Sequence, residues 1–177
     1  CVGEVTEEKL KLTKLANKAV EEFFAPKEPK PAQYFAGVMD WDVERDDESV
    51  KWLEVPCEGY KLKVKVTGVK GDLRSYSYAL IVKLARKPSF GELMEMQRTL
   101  ISRNPEYTRV LLLLREGSGK YLVSARAVDT EDFMTADVHE LTWEEMGELA
   151  DRLARLEGVR AVCYDITPKP PATIEYE

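Results

Sequence analysis

SYSYALIVKL, residues 75–84, mixes aromatic and β-branched residues and ends in an apolar run, the composition of a strand entering a sheet interior. Just beyond it, Ser89 is followed three positions later by Glu92. This is the sequence form of a capping box, in which side chain and backbone satisfy each other's orphan amide donors at a helix start. Phe90, Leu93, Met94, Gln97, Leu100 and Ile101 then recur at helical spacing until Asn104-Pro105 stops the pattern. Two further strand-like runs follow, joined at Glu116-Gly117-Ser118-Gly119, which reads as a hairpin turn. Thr142 with Glu145 makes a second capping box, and Leu141 with Met146 adds a hydrophobic staple. Met146, Leu149, Ala150, Leu153 and Ala154 line one helical face, and Gly158 supplies a left-handed stop. The strand-like run VRAVCYDI closes the set.

In symbols this is βαββαβ, which predicts an α+β protein with a ferredoxin-like core: a four-stranded antiparallel sheet with two helices on one face. Right-handed crossovers place residues 75–84 and 120–128 as the central strand pair. That arrangement hosts many unrelated activities, so function has to be argued from sites.

Outward from this core, the chain divides into an N-terminal amphipathic helix (1–25), a proline-rich spacer (26–32), an acidic loop with an extra strand or hairpin (33–74), the core (75–167) and a proline-rich tail (168–177). Thr6 is the N-cap expected for the first helix, stapled by Val5 and Leu10, and Leu12, Leu15, Ala16, Ala19, Val20 and Phe23 line one face. Pro26, Pro29 and Pro31 favour extended backbone after it. Residues 33–41, QYFAGVMDW, read as a strand. Tyr60, Leu62, Val64 and Val66 alternate with Lys61, Lys63 and Lys65, the pattern of a strand with one buried and one wet face. Gly68 to Asp72 then turns the chain into residues 75–84.

The 177 residues carry a net charge of −6, and 44% are hydrophobic against 33% charged, a composition able to bury a substantial core. The acidic balance argues against nucleic acid as a partner, since such binding draws its affinity from phosphate neutralisation. Scarce Asn and Gln beside abundant Glu, Lys, Arg and Val point to a thermophilic source. A chain numbered from Cys1 has either been processed or cut, and Cys1-Val2-Gly3 fits the start of a lipoprotein anchored through its first cysteine. With Cys1 set aside, Cys57 and Cys163 form either a disulfide or two buried thiols.

Chemistry-bearing patterns are sparse. Asp40, Asp42 and Glu44 alternate, so on a strand they share a face as weak candidates for a hard cation, but the EF-hand spacing fails at Arg45 and Lys51. Lys61, Lys63 and Lys65 are candidate contacts for an anionic ligand. Gly117-Ser118-Gly119-Lys120 lacks the first glycine and the Ser/Thr of a phosphate-binding loop. His139 is the one histidine, without metal-ligand spacing around it. Residues 120–128, KYLVSARAV, lack the aromatic signature of an RNA recognition motif. Trp41, Trp52, Tyr60, Tyr76 and Tyr78 are near enough in sequence to line a small pocket.

No cofactor and no catalytic constellation is implied. The reading is a non-enzymatic binding or interaction module for an unknown protein or small molecule. It is tethered at the outer face of a membrane by lipid on Cys1, with a homodimer open. The alternative is an intracellular metal-dependent hydrolase or regulatory domain with a site built from dispersed carboxylates.

Overall fold

The computed structural model describes residues 2–70, 73–132 and 134–176, with backbone alone for 67–70 and 73–76. In chain order the elements are α1 (Glu7–Phe24), β1 (Gln33–Asp40), β2 (Val43–Arg45), β3 (Cys57–Lys70), β4 (Leu73–Leu84) and α2 (Phe90–Arg103). Then come β5 (Tyr107–Glu116), β6 (Tyr121–Asp129), β7 (Asp137–Val138), α3 (Trp143–Ala154) and β8 (Val159–Asp165). Cys1, the side chain of Tyr76 and, from the expected turn Gly68 to Asp72, Gly71 and Asp72 lie outside the described residues, while Gly68, Val69 and Lys70 belong to β3.

The helix starts follow their local signals. Thr6 accepts the Lys9 amide at the head of α1, and both expected capping boxes form, Ser89 with Glu92 and Thr142 with Glu145. Gly158 has the positive φ expected, 94°, but α3 ends at Ala154, so the glycine shapes the turn into β8.

The protein is α+β, with an eight-stranded sheet among the described residues, ordered β1-β6-β8-β5-β4-β3-β2, with β7 pairing to the end of β6. The ferredoxin-like pairing does not form. β4 runs parallel to β5 and β6 parallel to β8, and the central antiparallel pair is β5 with β8 in place of residues 75–84 with 120–128. Each helix thus returns the chain to the neighbouring strand instead of skipping one. The cause is visible in β8, which is buried on both faces for most of its length and so belongs inside the sheet.

Its insertion between β5 and β6 also corrects the hairpin reading of Gly117 to Lys120, because that loop crosses over the start of β8. The amides of Gly117 and Gly119 donate to the carbonyls of Arg160 and Val159. A Cβ on Gly119 would collide with the Gly158 carbonyl, so only glycine permits the crossing.

All three helices contribute to one apolar layer on one sheet face, where Leu12, Val20, Phe23, Leu93, Leu149 and Leu153 meet Leu80, Val110, Leu112 and Val162. The second face holds Met39, Leu62, Ile81, Leu111, Leu122 and Cys163. It is closed by curling of the sheet: Trp41, just past β1 at one flank, lies 6.3 Å from Tyr60 of β3 near the other. The outer edge of β1 is capped by a side chain that imitates a strand, since Asn17 of α1 accepts the Ala36 amide at 2.9 Å and donates to its carbonyl at 3.0 Å.

Candidate functional site

β6 and β8 are parallel neighbours: Ala125 pairs with Tyr164, β8 ends one residue later at Asp165, and β6 runs on to Asp129. In sheets with parallel strands, ligands settle in crevices outside the carboxyl ends, where the connecting loops diverge. Three segments meet here: residues 25–32 leading into β1, whose Gln33 pairs with Val128; residues 129–132 and 134–137 after β6; and the C-terminal strap 166–176. Loop and strap are stitched by reciprocal backbone bonds between Ala136 and Lys169, at 3.1 and 2.9 Å.

Two depressions flank the junction. One, of about 520 Å³, is lined by Lys30, Ala32, Asp129, Glu131, Thr135 and Asp137 among others. The second, about 620 Å³, lies between α1 and β1, where Asn17, Lys30, Tyr34, Gly37, Glu175 and Tyr176 contribute to its wall. Lys30 borders both, its ammonium 5.6 Å from the Tyr34 ring centre. His139 supports the loop from beneath, with Nδ1 2.9 Å from Asp129 Oδ1 and its carbonyl accepting from the Tyr164 hydroxyl at 2.7 Å.

The strap has little backbone pairing of its own and is instead held by a polar row crossing the second sheet face. Arg109 of β5, Asp165 of β8 and Arg126 of β6 all have 0% side-chain exposure. Asp165 Oδ2 lies 2.7 Å from Arg109 Nη1, and its Oδ1 lies 3.1 Å from Arg126 Nη1 and accepts the Thr167 amide at 3.0 Å. Other donors of the two arginines go to strap carbonyls. Arg109 Nη2 donates to those of Thr173 (2.8 Å) and Glu175 (2.6 Å). Arg126 donates to those of Ile174 (2.8 Å), Thr167 (2.7 Å) and Thr173 (2.9 Å). Tyr176 ends the run, its ring 4.4 Å from the Arg109 guanidinium and packed where a side chain on Gly37 would otherwise stand, its hydroxyl 2.8 Å from Ser124 Oγ.

Burial pulls the Arg109 guanidinium below its ordinary pKa while Asp165 pushes it back, and burial raises the Tyr176 phenol well above its usual range. The arginine stays charged, so the row is an ionic clamp in a dry setting.

The residues singled out from sequence lie elsewhere. Asp40 is 50% exposed with Lys9 Nζ at 3.5 Å, and Asp42 and Glu44 are exposed around β2. Among the described residues, no three His, Cys, Asp or Glu side chains gather closely enough to hold a metal. The acidic stretch serves structure instead: Asp46 accepts from Ser49 Oγ at 2.7 Å and from the Tyr107 hydroxyl, pinning the loop to β5. Lys61 and Lys65 flank the Tyr78 ring at 4.2 and 5.8 Å, Lys61 also lies 4.0 Å from Glu106, and Lys63 is exposed. The aromatic group disperses. Trp41 faces Tyr60, whereas Trp52 stacks with Arg103 at 4.8 Å.

Of the two alternatives for the cysteines, the disulfide does not form: Cys57 and Cys163 are free thiols, because Cys57 packs toward the helical layer and Cys163 into the opposite face. Arg109, Arg126 and Asp165 were not among the candidates from sequence, although a signal was present. Each sits beside apolar residues within a strand run, and charges are buried only when paired.

Residues 115–176 match the family described as GMP synthase C terminal domain. Over 99% of its length the chain is 36% identical to a subunit of the glutamine-hydrolyzing GMP synthase of Sulfurisphaera tokodaii, covering 46% of that protein. The counterpart from Saccharolobus solfataricus is 35% identical over 99% of the chain, with 45% of its own length covered. That of Methanosarcina acetivorans is 32% identical, with 36% covered. The chain therefore spans less than half the length of these relatives.

These likenesses overturn the expectation of a non-enzymatic, lipid-anchored binding module, since the relatives are subunits of an enzyme. The envelope placement rested on Cys1 and gives way with it. Among the described residues, no helix is long and apolar enough to cross a membrane.

Proposed function

We propose that this chain is the C-terminal part of a subunit of a glutamine-hydrolyzing GMP synthase, and that the loops beyond β6 and β8 contact the purine nucleotide. The observation that carries the reading is a coincidence of position. The family match over residues 115–176 spans β6, α3, β8 and the strap, the segments that build the junction at the carboxyl ends of the parallel pair. Resemblance to these synthase subunits over nearly the whole chain supports the same conclusion.

The chemistry of the junction suits a nucleoside monophosphate. Among the described residues Lys30 is the one cation of the lining and is the contact proposed for phosphate, the surrounding carboxylates of Asp129, Glu131, Asp132 and Asp137 suit the ribose and base donors and not the phosphate, and the Tyr34 ring offers an apolar surface. The relatives are named for glutamine hydrolysis and are named as subunits. Another polypeptide, together with the length of the relatives that this chain does not span, is therefore proposed to complete the enzyme.

The test is a calorimetric titration of the chain with GMP beside guanosine. Saturable heat with GMP, weakened about tenfold for guanosine and for Lys30→Ala, is expected where one charge-assisted phosphate contact is lost. No heat and no rise in melting temperature at millimolar GMP would sink the proposal.

A further inference from the structure

We infer that Arg126 and Arg109, joined through Asp165, are positioning residues that preset the C-terminal strap as a wall of the nucleotide site; this role rests on the nucleotide reading above. The strap carries Pro168, Pro170 and Pro171, which lack amide donors. Its placement is therefore delegated to side chains from the sheet. Arg126 alone reaches the carbonyls of Thr167 at one end of the strap and of Thr173 and Ile174 near the other, closing the intervening segment into a loop. Arg109 adds Thr173 and Glu175, and Glu175 and Tyr176 then form part of the cleft wall beside Lys30.

A planar guanidinium has the geometry for this task. Its fork addresses several carbonyls at fixed angles, whereas a lysine ammonium is a single point charge on a flexible stem. Stability alone does not explain the row, because well-packed apolar residues often do as well as buried ions. What apolar side chains lack is the capacity to fix peptide carbonyls in one orientation. Asp165 positions the positioners: it bonds both guanidiniums and the Thr167 amide, so the strap leaves β8 already aligned with the groups that capture it.

The experiment is hydrogen exchange of the whole chain, read over residues 166–176 against α2 and α3, combined with GMP titration of wild type and Arg126→Lys. The variant keeps the charge but not the fork, so strap amides are expected to exchange at least about tenfold faster and GMP to bind about tenfold more weakly. The amides of α2 and α3 hold their wild-type rates. Should Arg126→Lys fail to fold, Thr173→Ala replaces it. That change removes one acceptor of Arg109, at 2.7 Å, without exposing a buried charge, and a roughly threefold change in both readouts is expected.

Unchanged strap exchange, or faster exchange with unchanged GMP affinity, overturns the positioning role alone. A wild-type chain that takes up no GMP refutes the nucleotide reading, and this role with it.

Discussion

Replacing Asp165 by alanine removes the carboxylate that bridges two fully buried guanidiniums, and the loss can be sized from its contacts. Asp165 takes hydrogen bonds from Arg109 and the Thr167 amide, and it pairs with Arg126 at 3.1 Å. Hydrogen bonds to charged groups contribute roughly 1.5–3 kcal/mol each, and breaking a buried ion pair by removing one partner costs about 3–5 kcal/mol. Because the contacts share one carboxylate they do not simply add, and a total of about 4–5 kcal/mol is expected for Asp165→Ala. In a chain of this size, that corresponds to a fall of roughly 8–20 °C in melting temperature. Urea unfolding followed by circular dichroism, with thermal melts alongside, measures both.

The control is the triple replacement Arg109→Met, Asp165→Leu, Arg126→Met. It removes every charge of the row and should recover most of the lost stability, because no ion is left unpaired. Strap amides in the triple variant should still exchange quickly, since no arginine remains to hold the carbonyls. A cost below about 1 kcal/mol for Asp165→Ala would refute the reasoning, as it would mean that water already reaches the guanidiniums.

The remaining predictions concern the supports of the fold. The Asp46 carboxyl is subject to burial, which raises its pKa, but the hydroxyls of Tyr107 and Ser49 and the Ser49 amide outweigh it and hold the group below its ordinary value. A depressed folded pKa means stability that is present above the unfolded value near 3.9 and is lost as pH falls through the folded one. Wild type should therefore lose more stability than Asp46→Asn between about pH 4 and pH 2 in urea titrations, and parallel curves would contradict the assignment. Asn17→Ala removes both side-chain bonds to the Ala36 backbone and uncovers the edge of β1. A loss of about 1–2 kcal/mol is expected, with increased light scattering on heating, and an unchanged melt would show the edge already satisfied.

Local signals carried far in this chain. The capping boxes at Ser89 and Thr142 and the Thr6 cap form as the residues imply, and the apolar faces of α2 and α3 largely do; in α1, Leu12, Ala16, Val20 and Phe23 are buried, but Leu15 and the expected staple pair Val5 and Leu10 are exposed. They are legible because a cap, a turn or a helical stripe is satisfied within a few residues of itself. The charged row was half legible. Arg109, Arg126 and Asp165 stand out as charges beside apolar residues in strand runs, but nothing local says that the three would face one another.

Strand neighbours are a different kind of information, because the backbone groups that pair strands are the same in every residue. The order βαββαβ is therefore compatible with an antiparallel ferredoxin-like sheet and with the two parallel pairs found here. Tertiary packing decided between them: β8, apolar toward both layers, is stable only in the middle, and its entry forces Gly117 to Lys120 across its start. That same insertion brings the carboxyl ends of β6 and β8 together and sets Asp165 between Arg109 and Arg126. Sequence by itself determined the three helices and the longer strands and most of the faces they bury, but not the short strands β2 and β7. Only the assembled sheet determined the site, because a site is made of neighbours and neighbours are chosen by long-range burial.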